Sequence, residues 1–181
     1  HAWAMSDDGQ VVVGSSGIGS AIDSFRWTSA TAMVDLNIPE SYALAASTDA
    51  NTIAGNFNPT SASGTNLFRW TQAGVEDLGT VGTNDTYPYF ISPDGSIIVG
   101  ATYETELFRV FRWTPDDGIQ LLDLPAPAVS AAAQDASDDT SLIVGYWIDF
   151  EYEARGAVWT SAGASDLLAY LQSLNTIGLD A

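Results

Sequence analysis

The stretch Ser92-Pro-Asp-Gly-Ser-Ile-Ile-Val-Gly100 decides the fold, because similar stretches occur at three other places in the chain. Each has a serine, an aspartate two residues later, an apolar run and a closing glycine. The other three are Ser6-Asp-Asp-Gly-Gln-Val-Val-Val-Gly14, Ser47-Thr-Asp-Ala-Asn-Thr-Ile-Ala-Gly55 and Ser137-Asp-Asp-Thr-Ser-Leu-Ile-Val-Gly145. The closing glycines are 41, 45 and 45 residues apart. A regular period of this length indicates a repeat architecture.

Two further motifs share this period and follow in the same order. The first is Phe25-Arg-Trp-Thr28, Phe68-Arg-Trp-Thr71, Phe111-Arg-Trp-Thr114 and the degenerate Ala157-Val-Trp-Thr160. The second is an Asp-Leu pair that closes each unit, in Val34-Asp-Leu36, Glu76-Asp-Leu78, Leu122-Asp-Leu124 and Ser165-Asp-Leu167. Three anchors with one period predict a single repeat domain over residues 1–181, with units of approximately 1–40, 41–84, 85–128 and 129–167.

Each unit predicts four short strands. In the first unit they cover about Ala2–Ser6, Gln10–Ser15, Asp23–Thr28 and Met33–Asn37, and the Asp8-Gly9 pair suits a tight hairpin because both residues tolerate positive φ. Four strands in each repeat are typical of a propeller blade. We therefore predict an all-β, β-propeller-like fold of four four-stranded blades. A closed ring of four blades is favoured, and the alternative is half of a larger ring, completed by dimerisation or by a longer chain.

The end of the chain departs from the strand pattern. Apolar residues at 167, 168, 171 and 174 have helical spacing and follow a candidate N-cap at Ser165 or Asp166. This predicts a short C-terminal helix over Ser165–Ser173, within a cap formed by residues 165–181.

Composition excludes several functions. The chain carries 23 acidic residues and 5 basic residues, all arginine, for a net charge of −18. Phosphate backbones and anionic lipids would repel it, so we expect no nucleic-acid partner and no adhesion through a basic patch. There is no cysteine, the single histidine is His1, and no apolar run predicts a transmembrane segment. Since the chain starts at His1 rather than Met, we expect a processed product or part of a longer protein.

The order Ser-x-Asp-Gly, Phe-Arg-Trp-Thr and Asp-Leu resembles the HAF-type extracellular repeat of bacterial surface and secreted proteins, some of them autotransporter passengers. The resemblance covers nearly the whole chain, and the tail from Asp166 to Asp180 is similar to a segment common in that family. It implies a propeller-like β fold and an extracellular or cell-surface location, but no defined activity. Unit 4 departs from the pattern by lacking Phe-Arg before Trp159, and unit 2 has Ala50 in place of the turn glycine.

Residues repeated in every unit predict structural roles. The serine and aspartate of the turn suit local hydrogen bonding. A calcium site is the alternative for the turn aspartates, although no cofactor is required, and its ligands would be Asp7, Asp8, Asp94, Asp138 and Asp139. We predict carboxylate pairs between blades for the arginines and core packing for the tryptophans, at Arg26, Arg69, Arg112, Trp27, Trp70, Trp113 and Trp159.

The segments between the second and third strands vary among the units and therefore predict function. They combine aromatic rings with carboxylates, which suits recognition of a carbohydrate or a protein partner. The predicted binding residues on this rim are Phe57, Tyr103, Glu104, Glu106, Tyr146, Trp147, Asp149, Glu151, Tyr152 and Glu153. The strict alternation in Ile148–Glu153 leaves open a longer hairpin strand with a solvated acidic face.

The sequence thus predicts a non-catalytic extracellular module for surface attachment, self-assembly, or glycan or protein recognition. The alternative function is that of a secreted glycoside-active hydrolase. Its catalytic pair would come from the rim carboxylates Glu104, Glu106, Asp149, Glu151 and Glu153, because glycosidases use two carboxyl groups across an open cleft.

Overall fold

A computed structural model describes residues 1–18, 21–59, 64–81, 85–104 and 106–174. They form sixteen strands in four antiparallel sheets, each with four strands in chain order. Blade 1 contains β1 (Ala2–Met5), β2 (Val11–Ile18), β3 (Ala21–Thr28) and β4 (Ala32–Asp35). Blade 2 contains β5 (Ser41–Ala46), β6 (Thr52–Phe57), β7 (Asn66–Thr71) and β8 (Gly74–Gly79). Blade 3 contains β9 (Thr86–Ile91), β10 (Ile98–Glu104), β11 (Leu107–Thr114) and β12 (Gly118–Leu121). Blade 4 contains β13 (Ser130–Ala136), β14 (Ile143–Ile148), β15 (Ala154–Thr160) and β16 (Gly163–Asp166). The predicted β-propeller fold of four-stranded blades is confirmed.

The apolar core lies between the blades. The first strand of each later blade packs against the first three strands of the blade before it. The apolar residues of the repeats fill the three layers that result. Examples are Val13, Ile53 and Phe68 between blades 1 and 2, Leu67, Ile98 and Phe111 between blades 2 and 3, and Val110, Ile143 and Trp159 between blades 3 and 4.

Among the described residues, the first strand of blade 1 does not pack on another blade to the extent that the first strand of each later blade packs on the one before it. In the described part of the chain, no strand of blade 4 packs on blade 1 to the extent that neighbouring blades pack on each other. Trp113 and Trp159 are only 5% and 4% exposed against the preceding blade, whereas the equivalent Trp27 of blade 1 is 36% exposed. Over the described residues the four blades therefore form an open arc, and the prediction of a closed four-blade ring is wrong.

The predicted C-terminal helix is confirmed. Helix α1 covers Leu167–Ser173, and the Asp166 side chain caps it by accepting a hydrogen bond from the backbone N–H of Ala169. The helix packs against β15 and β16. Blade 4 carries the fully buried Val158 where the other blades have an arginine. Residues 175–181, which complete the tail similar to the HAF family, lie outside the described part of the chain.

Candidate functional site

The turn between the first and second strands is built from its own serine and aspartate. In blade 3, Ser92 Oγ donates to Asp94 Oδ1 at 2.7 Å, and Asp94 Oδ1 accepts the N–H of Ser96 at 3.0 Å. Ser92 Oγ also accepts the N–H of Ile97. The same three bonds occur in the other blades, around Ser6 and Asp8, Ser47 and Asp49, and Ser137 and Asp139. The turn aspartates therefore serve the fold of the hairpin.

Positive φ occurs at one position of the turn in each blade, although both residues of the Asp8-Gly9 pair would tolerate it. This position holds Gly9, Ala50, Gly95 and Thr140, with φ between 47° and 70°. The aspartate before it has no positive φ. An N–H at this position bonds the serine carbonyl three residues earlier in every blade, which closes a β-turn.

The predicted calcium ligands are divided between two environments. Asp8, Asp94 and Asp139 bind their own turns, while Asp7 and Asp138 line a small cavity near the centre of the arc, together with Thr48 and Pro93. Among the described residues, no three histidine or acidic side chains are placed to hold a metal ion.

These turns predict a loss of stability in acid. Hydrogen bonds from Ser92 Oγ and then from Ser96 lower the pKa of Asp94 from 3.8 to about 2. The backbone N–H of Ser141, followed by Ser137 Oγ, lowers the pKa of Asp139 from 3.8 to about 2. A carboxyl whose pKa is lower in the folded chain stabilises the fold above its unfolded pKa. That contribution disappears as the pH falls from about 4 to about 2.

We expect urea unfolding to show this decrease between about pH 4 and pH 2 for the unmodified chain. The double variant Asp94→Asn, Asp139→Asn should be less stable at neutral pH and should lose less stability over the same acid range. An identical acid dependence in the two proteins would contradict this role of the turns.

The repeated arginines join neighbouring blades through backbone carbonyls. Arg26 Nε donates to the carbonyl of Ala50 at 3.3 Å, and Arg69 Nε donates to the carbonyl of Gly95 at 3.0 Å. Both acceptors are the positive-φ residue of the next blade's turn. The predicted carboxylate pairs between blades are therefore wrong for these two arginines, and the Arg69–Glu76 pair at 3.9 Å lies within one blade. Arg112 lines a cavity between blades 3 and 4.

The repeated tryptophans lie on the face that each blade turns toward the preceding one. Trp70 is half-buried against the core between blades 1 and 2. Trp159, in blade 4, donates its Nε1–H to the Asp123 carbonyl of blade 3 at 2.8 Å. The arginines and the tryptophans thus belong to the contacts between blades.

The predicted rim includes two residues that the structure buries. Trp147 is 2% exposed, donates its Nε1–H to Asp166 Oδ2 at 3.2 Å, and lies 5.6 Å under the Arg155 guanidinium. Asp149 is 9% exposed, and its Oδ1 accepts the N–H groups of Glu151 and Glu153. Contrary to the prediction, neither side chain is presented openly to a ligand.

The other predicted rim residues are distributed over separate hairpins. Tyr103 is 38% exposed and packs 5.0 Å from Phe108, Phe57 is half-buried beside Phe68, and Tyr146 is half-buried. The remaining residues are the half-buried Glu104 and the exposed Glu106, Glu151, Tyr152 and Glu153. The alternative of a longer hairpin strand is wrong, because β14 ends at Ile148 and β15 begins at Ala154.

The closing glycine of each repeat permits a bulge in the innermost strand. A Cβ atom on Gly55 or Gly100 would lie 2.1 Å from the carbonyl oxygen of Tyr42 or Tyr87. The register of the innermost strand shifts by one residue beside each of the four glycines. The residue skipped by this shift lies three positions before the turn serine in every blade, at Trp3, Leu44, Tyr89 and Gln134. A bulge changes the direction in which a side chain is aimed.

All four bulged residues line one groove of about 660 Å³ at the centre of the arc, which we call the central groove. Its other described lining residues are Tyr42, Asn56, Thr65, Tyr87 and Pro88. Trp3 and Tyr89 are 50% and 41% exposed. None of the described lining residues is charged. The groove is therefore aromatic and neutral within a strongly acidic chain.

Two tyrosines of the central groove keep their protons. Burial is the largest cause that raises the pKa of Tyr87 to about 12, and the negative charge of Asp85 is the second. The Tyr87 hydroxyl donates to Asp85 Oδ2 at 3.3 Å. Burial also raises the pKa of Tyr89. Both side chains therefore remain neutral hydroxyl groups at physiological pH.

Asn56, one of the residues that line the central groove, carries a buried acceptor without a partner in the described part of the chain. The residue is 2% exposed, and its Nδ2 donates to the Thr86 carbonyl at 2.9 Å. Because a carbonyl can only accept, this bond fixes the orientation of the amide and leaves Oδ1 on the other side. Asn56 Oδ1 is buried and has no hydrogen-bond partner within the described ranges.

Sequence reasoning missed the central groove because it examined the loops. The available signal was the closing glycine, because its recurrence in all four repeats indicates a close approach of the backbone at that place in the strand. Among the described residues, no helix is long and apolar enough to cross a membrane.

No protein-family model matches the chain, and no curated protein matches it in sequence. Solved structures with the same fold include TolB from Agrobacterium tumefaciens, with a TM-score of 0.67 and 15% identity over 90% of this chain and 62% of that one. The β-propeller domain of the Trilobed protease from Pyrococcus furiosus has a TM-score of 0.61 and 12% identity, over 87% of this chain and 48% of that one. An oligogalacturonate lyase has a TM-score of 0.61 and 16% identity, over 87% of this chain and 49% of that one. The chain spans less than two thirds of each of these proteins.

Proposed function

We propose that this chain is a non-catalytic binding module of an extracellular bacterial protein and that its ligand occupies the central groove. The observation that carries the proposal is the placement of the four bulged residues. The turn serine and aspartate and the closing glycine repeat in every blade, whereas Trp3, Leu44, Tyr89 and Gln134 differ and meet in one cavity. Concave, largely apolar sites with a few polar groups are the usual form of a ligand pocket.

Binding fits the chemistry of the groove better than hydrolysis does. None of the described lining residues is a carboxylate, so the groove offers no general acid or nucleophile from that class. The four turn aspartates have lowered pKa values, opposite to the raised pKa that a general acid needs. Asp149, a member of the predicted catalytic rim, is held by its own turn.

The extracellular location rests on the resemblance to HAF-type repeats. The residues that carry the resemblance are those that build the propeller: the turn serines and aspartates, the Phe-Arg-Trp-Thr motif and the Asp-Leu pairs. On this proposal the repeated residues make a scaffold for a surface or secreted protein, and the central groove gives that scaffold its specificity.

The test is a screen of the chain against a glycan array and a phage-displayed peptide library, followed by affinity measurements. Tyr89→Ala should weaken ligand binding by about tenfold or more, because it removes an aromatic face from the groove. The control Tyr152→Ala removes a tyrosine that is 86% exposed on the rim and should bind as the unmodified chain does. A ligand that needs Tyr152 and not Tyr89, or the absence of any glycan or peptide ligand, would contradict the proposal.

Self-association is a second candidate, and the free face of blade 1 favours it. Met5 and Trp27 are 65% and 36% exposed on this face, although the equivalent face of each later blade is covered by the blade before it. We expect sedimentation equilibrium to show a mass that rises with concentration and to show less association for Trp27→Glu. A monomeric mass at all concentrations would exclude this role.

A further inference from the structure

We infer that the ligand of the central groove is a neutral, hydroxyl-rich sugar chain. This inference rests on the proposed function and names the class of ligand for the same groove. Three properties of the groove carry it: its lack of charge, its exposed aromatic faces and its unpaired acceptor.

Charge excludes an anionic ligand. The chain has a net charge of −18, and none of its five arginines is among the described residues that line the groove. The field of the whole protein would repel a polyanion, and nothing in the groove would compensate for that repulsion. Carboxylates lie beside the groove rather than among its described lining residues: Asp85 accepts a hydrogen bond from the Tyr87 hydroxyl, and Asp7 and Asp138 line the adjoining cavity. Cations are therefore attracted to the neighbourhood of the groove, but none of the described residues that line it offers them an ion pair.

The aromatic side chains supply the surfaces that a sugar ring needs. Trp3 and Tyr89 come from the bulges of blades 1 and 3, and Tyr42 and Tyr87 lie on the innermost strands of blades 2 and 3. About half of the Trp3 side chain is exposed, with the indole Nε1–H held by Ser15 Oγ at 3.1 Å. The ring is thus fixed in direction, and the His1 ring stacks on it with the two centroids 5.6 Å apart. The part of the indole that stays exposed is an aromatic surface of the kind that packs against the C–H groups of a sugar.

The polar atoms of the groove select hydroxyl groups. Asn56 Oδ1 is an acceptor without a partner among the described residues, and a buried acceptor of this kind is costly until it receives a donor. The Tyr89 hydroxyl and the Gln134 amide add neutral donors and acceptors nearby. A sugar hydroxyl both donates and accepts, so it fits all three groups. A proline-rich peptide also fits aromatic grooves, but its proline residues have no N–H to donate to Asn56.

The experiment measures the affinity of the chain for a fixed panel of immobilised probes. The neutral probes are cellotetraose, maltotetraose, mannotetraose and the tetramer of N-acetylglucosamine. The contrasting probes are tetragalacturonate and a polyproline peptide. We expect binding to at least one neutral tetrasaccharide, with an affinity that changes little between about 50 mM and 500 mM salt because no ion pair forms.

The groove variants Trp3→Ala and Tyr89→Ala should each weaken that binding by about tenfold or more. The controls Phe150→Ala and Tyr152→Ala remove two exposed aromatic side chains outside the groove and should leave the affinity unchanged. The urea midpoint of all four variants checks that the fold is retained.

Each other outcome overturns a defined part of the argument. Binding of the polyproline peptide or of tetragalacturonate alone, weakened by Tyr89→Ala, would overturn the neutral sugar and leave the groove as the binding site. No binding to any neutral tetrasaccharide would also overturn the inference. Binding of a neutral sugar that depends on Tyr152 and not on Trp3 or Tyr89 would overturn both the inference and the proposed function.

Discussion

Replacing Gly55 with alanine is expected to destabilise the chain by more than about 4 kcal/mol, and the variant should be largely unfolded at 37 °C. The added Cβ would lie 2.1 Å from the Tyr42 carbonyl oxygen and 2.5 Å from the Phe68 ring. Neither group can move easily, because the carbonyl belongs to the bulged innermost strand and Phe68 is fully buried. Urea unfolding measured by circular dichroism gives the change in free energy.

Gly9→Ala is the matched control for this prediction. A Cβ at Gly9 would meet no atom within 4 Å, and Ala50 already occupies the equivalent turn position of blade 2. The cost should therefore be about 1 kcal/mol, the usual penalty for alanine at positive φ. Similar losses from Gly9→Ala and Gly55→Ala would show that conformational freedom, rather than the close approach at the bulge, explains the repeated glycine.

The second large effect is expected from Phe68→Ala, which should cost about 3–5 kcal/mol. Phe68 is fully buried in the layer between blades 1 and 2, where it contacts Phe57 at a ring separation of 6.4 Å. Removing the ring leaves a cavity between two sheets that cannot close without moving a whole blade. The loss should appear as a lower urea midpoint with an unchanged slope.

Phe150→Ala provides the matched comparison. Phe150 is 78% exposed in the hairpin between β14 and β15, so its removal should change the free energy of unfolding by less than about 0.5 kcal/mol. A loss at Phe150 equal to that at Phe68 would contradict the placement of the core between the blades.

The repeats predict the fold because their residues make the contacts that define a blade. The turn serine and aspartate, the buried valine and isoleucine residues and the Phe-Arg-Trp-Thr motif each recur in the same place on the sheet. Their pattern predicts four strands in each unit, and the structure has them. The pattern does not predict whether the ring closes, because Trp27 has the same sequence neighbours as Trp70 but lacks a blade to cover it.

The partners of the arginines could be predicted only in part. The period of Arg26 and Arg69 indicates a repeated structural contact, and both do join successive blades. Their acceptors are backbone carbonyls exposed by the positive-φ turn residues Ala50 and Gly95, and a sequence does not display the direction of a carbonyl. An acidic chain suggested carboxylate partners instead.

The central groove could not be found from strand alternation. A regular strand turns successive side chains to opposite faces, and the bulge interrupts that order at one residue. Alternation therefore gives no reason to place Trp3, Leu44, Tyr89 and Gln134 together. The closing glycine was the available signal, because a glycine required at the same place in four buried strands indicates a close approach of the backbone.

Two of the predicted rim residues were assigned to a binding surface although the structure buries them. Trp147 and Asp149 stand next to exposed aromatic and acidic residues in the sequence, yet Trp147 belongs to the core and Asp149 organises a turn. Trp147 lies inside β14 and Asp149 follows the end of that strand at Ile148, so the two residues have different roles. The exposure of side chains changes within two or three residues at such a strand end.

The position of a bound ligand tests the central claim most directly, and the tryptophans report it. The six indole N–H signals of the 15N-labelled chain can be assigned with single Trp→Phe variants and followed during titration with the neutral tetrasaccharide that binds most tightly. We predict that the Trp3 signal shifts, because its ring lines the central groove, while the signals of Trp27, Trp113 and Trp159 remain in place. An unchanged Trp3 signal with a shift at Trp27 or Trp147 would contradict the claim that the bulged residues form the ligand site.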